Sequence, residues 1–398
     1  MYPVKILENI YWVGAIDWNI RYFHGFTYST HRGTTYNAYL IVDDKITLVD
    51  TVHKSFTNEM ISRIKKVIDP SKIDYIVANH VESDHSGALN EILKLTPKAN
   101  VFGTAKCKEG LRKHYFNDWN FQIVHTGEQI DLGKRKVTFL EAPMLHWPDS
   151  MFTYIEKDGL LLPNDGFGQH LASSKRFDDE VDENILMQEA GKYYANILWP
   201  YSRLVKRKIE EVQKLNLEIN MIAPSHGIIW RSNPGKIIQA YLRWASGEEA
   251  ADKVLIVYDT MWGSTEKMAK AIATGLIQEG VETRLFRLPF SDIGDIIGEL
   301  LEAKGLLIGS STINNGILPS VAPFLKEIQG LRPQNKIAAA FGSYGWGGGA
   351  VKTIEEALKK ARIDIVHPAL AVQWVPDLNE TQTCIDFGKS IANKIKKE

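Results

Sequence analysis

Four residues that can bind a metal ion occur within six positions of this chain: His80, Glu82, Asp84 and His85. They directly follow an apolar run, residues 73–78, that is typical of a buried strand. Their spacing is not that of an H-E-x-x-H zinc helix, so a loop must wrap them around a point. This arrangement suits two adjacent metal ions better than one. The plain alternative is a polar loop with capping histidines, but four ligand types so close together favour a metal site.

Three further candidate ligands have the same kind of position. His146, Asp165 and His226 each come just past a short apolar run, at residues 136–141, 160–163 and 220–224 respectively. Loops at neighbouring strand ends gather along one edge of a sheet, so we expect these side chains to converge on the first four. Either histidine alone would be more simply explained as an ordinary loop residue. Their shared placement favours a common site.

The composition restricts the function classes. The chain has 398 residues, which favours two domains, and a formal net charge of -1, which predicts neither nucleic acid nor a membrane as a partner. Its two cysteines, Cys107 and Cys384, are far apart, which excludes a disulfide scaffold, a cysteine zinc site and a fused rubredoxin-type iron site. The N-terminus lacks a signal-peptide pattern and no apolar stretch could span a bilayer, so we expect a cytoplasmic protein.

Local patterns divide the chain in two. The first half is rich in short strands, with a predicted hairpin at 37–50 and predicted helices at 55–68 and 87–95. A helical pattern near residue 240 runs into a short, small and charged segment, 246–252, which is typical of a linker. We therefore predict domains at residues 1–250 and 251–398.

The second half alternates strictly between strands and helices. Strand-like runs are predicted at 254–258, 282–287, 305–309, 336–341 and within 363–375, separated by helical stretches of ten or more residues. This alternation predicts a doubly wound parallel sheet of five strands, with ligands at the carboxyl ends of the strands.

Three loops at those strand ends could hold a nucleotide-like ligand. Residues 259–267 are rich in hydroxyls and open a helix, which makes an anion site, although an ordinary N-capping loop would look the same. Loop 310–316 follows the third strand, and loop 342–349 places Tyr344 and Trp346 among glycines. The first of these loops matches neither a Walker A motif nor a G-x-G-x-x-G motif. The three loops together, at one edge of a five-stranded α/β domain, resemble those of flavodoxin.

That resemblance implies FMN as the cofactor. Its phosphate would be held by Thr260, Met261, Trp262, Gly263, Ser264 and Thr265. Its ring would be held by Thr312, Ile313, Asn314, Asn315 and Gly316, together with Ser343, Tyr344, Gly345, Trp346 and Gly347. Which aromatic side chain stacks on the ring stays open.

The ligand order of the first half, H-x-E-x-D-H and then His, Asp and His, resembles the metallo-β-lactamase superfamily. The implied fold is an αββα sandwich, in which two mixed sheets are flanked by helices. Hydrolases of that superfamily usually have H-x-H-x-D-H and bind zinc, whereas here Glu82 stands in place of the second histidine. An additional carboxylate hardens the site and favours iron over zinc.

Both halves together resemble the flavodiiron proteins, an α/β combination of a metallo-β-lactamase-like domain and a flavodoxin-like domain. The resemblance implies two non-haem iron ions, one held by His80, Glu82 and His146, the other by Asp84, His85 and His226, with Asp165 bridging them. Members of the family differ on whether the residue at His85 coordinates iron. His24 and His170 are candidate catalytic residues that donate protons or hydrogen bonds in the pocket, and a structural role for either is equally open.

The family's activity would be reduction of dioxygen to water, of nitric oxide to nitrous oxide, or both. Two ferrous ions and a reduced flavin together hold four electrons, which matches dioxygen going to two waters. The resemblance further implies a head-to-tail homodimer or a dimer of such dimers, and a separate electron donor such as rubredoxin or a reduced deazaflavin. The alternatives are a dizinc hydrolase with a flavodoxin-like accessory module, and an electron carrier with a vestigial first domain.

Overall fold

The computed structural model describes residues 2–247 and 250–396. Contacts within the chain divide it into two compact units. The first unit comprises Met1–Arg21, Thr30–Tyr193 and Tyr201–Leu242, and the second comprises Tyr22–Ser29, Tyr194–Pro200 and Arg243–Glu398. Two short segments of the N-terminal half thus group with the C-terminal half, and the boundary between residues 250 and 251 stays a prediction. Of the predicted linker 246–252, residues 248 and 249 lie outside the described residues.

Short strands dominate the first 247 residues. In chain order the strands described there are β1 (Val4–Leu7), β2 (Ile10–Trp12), β3 (Ala15–Asp17), β4 (Tyr22–Phe23), β5 (Tyr28–Ser29), β6 (Thr34–Tyr36), β7 (Tyr39–Ile41), β8 (Thr47–Val49), β9 (Tyr75–Val77), β10 (Asn100–Gly103), β11 (Phe121–Ile123), β12 (Gln129–Asp131), β13 (Lys136–Glu141), β14 (Met151–Ile155), β15 (Leu160–Leu162) and β16 (Met221–Ile222). The helices are α1 (Thr57–Ile64), α2 (Ser83–Ser86), α3 (Leu89–Leu95), α4 (Ala105–Tyr115), α5 (Glu183–Tyr193), α6 (Ser202–Lys214) and α7 (Pro234–Ser246).

Two mixed sheets form the first unit. One has the strand order β1-β2-β7-β8-β9-β10-β11 and the other the order β12-β13-β14-β15-β16. Val137 and Phe139 alternate along β13 with less buried residues, and both belong to a buried apolar cluster. The same cluster contains Val49 and Val77 of the other sheet. The apolar faces of the two sheets therefore form a common core. The predicted hairpin is present, since β7 and β8 pair antiparallel.

The second unit is built on a parallel sheet. Its strands after residue 250 are β17 (Ala251–Asp259), β18 (Glu282–Arg287), β19 (Ala303–Ser310), β20 (Ile337–Tyr344), β21 (Asp364–Ile365) and β22 (Leu370–Gln373). Its helices are α8 (Ser264–Gln278), α9 (Ile293–Leu301), α10 (Val321–Leu331), α11 (Ala350–Ala361) and α12 (Leu378–Ile395). The order is β18-β17-β19-β20, with β21 and β22 both pairing with β20. The direction in which successive strands are added changes at β17, because β18 lies on one side of it and β19 on the other. Doubly wound sheets bind ligands in the crevice at such a position.

Two local predictions need correction. The predicted fifth strand is two short strands, because Pro368 between β21 and β22 has no N–H to donate to a ladder. The predicted ligand loop contains one helical turn, α2, in which the Ser86 hydroxyl donates to the carbonyls of Val81 and Glu82. Among the described residues, no helix combines the length and the apolar character that crossing a bilayer requires.

Candidate functional site

Buried strand ends of the first unit carry the seven predicted metal ligands. His80 and Glu82 follow β9, while Asp84 and His85 lie on the short helix α2. The other three, His146, Asp165 and His226, lie in the loops after β13, β15 and β16. Six of the seven gather into two groups of potential ligand atoms, His80–Glu82–His146 and Asp84–His85–His226.

The first group is compact around one carboxylate oxygen. Glu82 Oε2 lies 3.3 Å from His80 Nε2 and 3.4 Å from His146 Nε2. In the second group, Asp84 Oδ2 lies 3.1 Å from His226 Nε2 and 3.4 Å from His85 Nε2. Bonds of about 2.0–2.2 Å to one ion at right angles place two ligand atoms about 3 Å apart, so both groups have the spacing of a coordination shell.

Asp165 lies between the two groups and divides its oxygens between them. Oδ2 is 3.8 Å from His80 Nε2 and 3.6 Å from His146 Nε2. Oδ1 is 3.1 Å from His85 Nε2 and 3.4 Å from His226 Nε2. A carboxylate in this position can join two metal ions, one through each oxygen.

Unsatisfied buried atoms test whether these residues fit a metal. Both oxygens of Asp84, both ring nitrogens of His85 and Oδ2 of Asp165 are buried, and none of them makes a hydrogen bond to any described residue. Buried polar atoms without partners are costly, so a convergent set of them marks a place for a ligand. Because the donors are imidazole nitrogens and carboxylate oxygens, the set fits two borderline-to-hard metal ions such as ferrous iron.

The side-chain electrostatics favour the forms that bind metal at the carboxylates. Burial alone raises the pKa of Asp165, but the neighbouring charges of His85, His146 and His80 hold it well below its ordinary value. For His85, burial lowers the pKa, while the charges of Asp84 and Asp165 outweigh it and raise the pKa to about 9. Asp165 is therefore ionised at neutral pH, and a proton competes with a metal for His85.

Several residues that the sequence did not single out orient the ligands. Asp149 is 3% exposed, and its Oδ2 lies 3.0 Å from His80 Nδ1. His226 Nδ1 lies 2.7 Å from the carbonyl of Thr35, and the Tyr193 hydroxyl donates to Asp165 Oδ1 over 3.0 Å. Such contacts fix the tautomer and direction of a ligating imidazole. No sequence signal identifies them, because each joins segments that are remote along the chain.

Asp50 holds two of the ligand loops together. Its Oδ1 accepts the backbone N–H of Asn79 at 2.8 Å, and its Oδ2 accepts the side-chain amides of Asn79 at 3.0 Å and Asn164 at 3.4 Å. These asparagines directly precede His80 and Asp165. Burial raises the pKa of Asp50 even though its hydrogen-bond donors oppose the shift.

The two predicted pocket histidines differ in their surroundings. His170 is 1% exposed, its Nδ1 lies 2.8 Å from Thr34 Oγ1, and its ring centroid is 5.0 Å from that of His226. His24 is exposed at the tip of the β4–β5 hairpin, has a positive φ of 53° and belongs to the second unit. The structure thus brings His170 against a candidate ligand, while the role of His24 stays a prediction.

The second unit contains a cavity of about 520 Å³ at the carboxyl ends of its strands. Twelve of the predicted flavin-binding residues line it, namely Met261, Trp262, Ser264, Thr312, Ile313, Asn314, Asn315, Ser343, Tyr344, Gly345, Trp346 and Gly347. The other four, Thr260, Gly263, Thr265 and Gly316, are not among its lining residues. Its volume is within the range of about 300–1,000 Å³ that is usual for cofactor sites.

Backbone and hydroxyl groups make this cavity suitable for a phosphorylated ring. Helix α8 starts after Gly263, whose φ is 92°. Within the described part of the chain no side chain caps its first N–H groups, which leaves them available to an anion. Thr265 lies behind the cavity wall, where its Oγ1 is 2.9 Å from both Ser311 Oγ and Ser343 Oγ. It therefore holds two of the lining serines in place.

Two lining residues were missed, Ser311 and Trp374. Trp374 follows β22 and packs so closely on Gly345 that a Cβ there would come within 2.9 Å of the indole. Its ring centroid lies 6.2 Å from that of Trp346. Its position just after the last strand was the signal that could have identified it, since all other lining loops follow strand ends.

Comparisons with known proteins match the two halves of the chain to two different domain families. Residues 34–227 match the family model described as ODP family beta lactamase, and residues 256–388 match the flavodoxin model. A protein of Moorella thermoacetica called nitric oxide reductase is 58% identical over 99% of both chains. An anaerobic nitric oxide reductase flavorubredoxin of Salmonella arizonae is 43% identical over 98% of this chain and 82% of that protein.

Solved structures are similar over the whole chain. The rubredoxin oxygen:oxidoreductase of Desulfovibrio gigas has a TM-score of 0.97 and 40% identity and covers 99% of both chains. The flavodiiron protein of Giardia intestinalis has a TM-score of 0.95 and 35% identity and covers 99% of this chain and 97% of that one. The predicted fold class, a metallo-β-lactamase-like sandwich followed by a flavodoxin-like domain, is confirmed. With both domain models and full-length relatives in agreement, the chain belongs to the flavodiiron proteins.

Proposed function

We propose that this protein is an oxidoreductase that reduces nitric oxide to nitrous oxide, dioxygen to water, or both, at two non-haem iron ions supplied with electrons through FMN. The observation that carries the proposal is the paired ligand geometry, two groups of three donors with Asp165 divided between them. When bound, the two ferrous ions supply open coordination positions for a small diatomic molecule and electrons to reduce it. The names of the similar proteins from Moorella and Desulfovibrio support both substrates.

The proposed ligand roles follow from the distances. His80, Glu82 and His146 would hold one iron, and Asp84, His85 and His226 the other. Inclusion of His85 is supported by its Nε2, which is 3.4 Å from Asp84 Oδ2 and 3.1 Å from Asp165 Oδ1. Asp165 would bridge the two ions.

Protons must also reach a site whose ligands are almost fully buried. Reduction of dioxygen to two waters consumes four protons, and reduction of two nitric oxide molecules consumes two. We propose that His170 and His24 donate protons or hydrogen bonds to the bound substrate. For His170 the support is its position against His226 and its contact with the Thr34 hydroxyl. The Tyr193 hydroxyl, which donates to Asp165, orients the bridging carboxylate.

The flavin would occupy the cavity of the second unit. Its phosphate would lie at the start of α8, near Ser264, where N–H groups are uncapped. Its ring would lie among the loops that carry Tyr344, Trp346 and Trp374. Thr260, Gly263, Thr265 and Gly316 keep a place in the proposed site as residues that shape these loops.

Assembly and partners complete the proposal. We propose a head-to-tail homodimer, or a dimer of such dimers, in which the flavin of one subunit faces the iron site of the other. A separate donor, rubredoxin or a reduced deazaflavin, would supply the electrons. We also propose domains at 1–250 and 251–398, supported by the two family models at 34–227 and 256–388. The cytoplasmic location stays a prediction.

Metal and turnover measurements on one preparation test the function. Two irons and one FMN per chain are expected, with anaerobic consumption of nitric oxide and separate consumption of dioxygen when the flavin is reduced photochemically. The matched control is Asp165→Asn, which keeps the size of the side chain but removes the charge that would join two cations. Two zinc ions per chain and hydrolysis of a thioester without reduction of either gas would favour the hydrolase instead.

A further inference from the structure

Helix α6 carries positive charge at the end where a helix least favours it. Arg203, Lys206 and Arg207 occupy its first two turns, and no acidic residue lies in the first turn. The helix macrodipole stabilises acidic side chains at the N-terminus and basic ones at the C-terminus. These three cations therefore do not serve the helix that carries them.

The same three residues, which we call the basic patch, outnumber the two acidic residues of the helix, Glu210 and Glu211. All three are exposed, and none forms an ion pair with any described residue. The next residue behaves differently, since Lys208 is 9% exposed and its Nζ donates to the carboxylate of Glu211 at 2.8 Å and 2.9 Å. On a chain with a formal net charge of -1, the basic patch is a local excess of positive charge.

The basic patch borders the loop that carries a proposed iron ligand. Leu204 and Arg207 line a cavity of about 350 Å³ together with Pro143, Leu145 and Pro148, which surround His146 in sequence. Glu141 and Glu211 also line it, and Glu211 is paired with Lys208. The two prolines are exposed and Leu204 is half-buried. Electron-transfer encounters bury less area than stable complexes, so a small surface of this kind beside exposed cations is sufficient for one.

We propose that the basic patch docks an acidic electron-carrier protein that reduces the bound flavin. The inference rests on the proposed function, including the head-to-tail dimer. In that dimer the flavin of one subunit faces the metal site of the other, so a carrier docked beside the His146 loop lies near the flavin of the neighbouring subunit. Each encounter oxidises one carrier by one electron. Two carriers thus reduce one flavin by two electrons, and the protons that accompany them come from water.

Salt-dependent kinetics of the holoenzyme test the docking. The variant replaces Arg203→Gln, Lys206→Gln and Arg207→Gln, and the probe is a reduced rubredoxin of net negative charge. Stopped-flow absorbance gives the second-order rate of flavin reduction as salt rises from about 10 mM to about 0.5 M. The wild-type rate should fall steeply with salt, whereas the variant should be about tenfold slower at low salt and nearly independent of it. The two rates should meet at high salt.

A control variant with the same change of charge is available in the first unit. Lys65, Lys72 and Lys98 are exposed, and Lys65→Gln/Lys72→Gln/Lys98→Gln should keep at least half of the wild-type rate and most of its salt dependence. A patch variant that is reduced as fast as wild type, or a control that slows equally, would overturn the proposal. So would a patch variant that loses binding to a short DNA duplex while its rubredoxin kinetics stay intact. Photochemical reduction bypasses the carrier. Failure of photoreduced wild type to consume either gas would therefore count against the proposed function, not against the basic patch.

Discussion

Asp149 offers a direct test of how the chain positions its first proposed iron ligand. His80 Nδ1 lies 3.0 Å from Asp149 Oδ2, so an imidazole that binds iron through Nε2 would carry its hydrogen on Nδ1 and donate it to this carboxylate. The same oxygen accepts the backbone N–H of Val81 at 2.7 Å. One buried carboxylate thus sets both the tautomer of the imidazole and the direction of the chain beside it.

Two substitutions separate charge from geometry. Asp149→Ala removes both hydrogen bonds and frees the ring to rotate or to change tautomer. Loss of such an orienting contact typically costs about 10–100-fold in metal affinity, or about 1.4–2.7 kcal/mol. Asp149→Asn can keep both contacts through its amide oxygen but loses the charge. Since charge-assisted hydrogen bonds are about twice as strong as neutral ones, we expect a cost of about 1 kcal/mol, or about fivefold.

The assay is anaerobic competition between the protein and a chelator for ferrous iron, followed by nitric oxide consumption after photoreduction. Affinity should decrease in the order wild type, Asn, Ala, and turnover at saturating iron should follow the same order. FMN content should be unchanged, since the substitution lies in the first unit. If the Ala variant bound iron and turned over as wild type does, the carboxylate would not orient His80 and the reasoning would be refuted.

Other side chains give equally specific expectations. Asp165→Ala or His146→Ala should abolish reduction of both gases while flavin absorbance persists, and surviving turnover would contradict the dimetal mechanism. Burial lowers the pKa of Lys336 from 10.5 to about 7. Between about pH 7 and pH 10.5 the unfolded chain therefore binds a proton at this lysine that the folded chain lacks. The free energy of unfolding should rise with pH across this range. Lys336→Met should therefore stabilise the protein by on the order of 3 kcal/mol at pH 7 and flatten the profile in thermal melts, whereas a flat wild-type profile would count against a buried neutral lysine. Trp374→Ala should weaken FMN binding by about tenfold in a fluorescence titration, and an unchanged dissociation constant would exclude ring contact. Thr265→Val should also weaken FMN binding, and Thr265→Ser should restore it. A Val variant with normal affinity for FMN would show that the hydrogen bonds of Thr265 to the two serines are dispensable.

Local sequence patterns were sufficient to predict many of the strands and the types of the candidate metal ligands. The apolar run at 136–141 and the strand-like run at 282–287 predicted β13 and β18 with the bounds that the structure has. The ligand types were visible because His and carboxylate residues follow apolar runs, and the exchange of a histidine for Glu82 indicated iron. These signals are local, since a strand and the loop after it are contiguous in the chain.

Tertiary structure decided what depends on residues distant in sequence. The sequence named Asp165 as a candidate bridge only through a family resemblance, whereas the fold aims one oxygen at His80 and His146 and the other at His85 and His226. Asp149 and Tyr193 gave no usable pattern, because a hydrogen bond across many residues leaves no periodic trace. The sequence by itself thus determined which chemical groups are available and at which strand ends they stand. Only the packing of the sheets determined which of those groups meet, because burial of the apolar faces sets the distances between loops that the chain order leaves free.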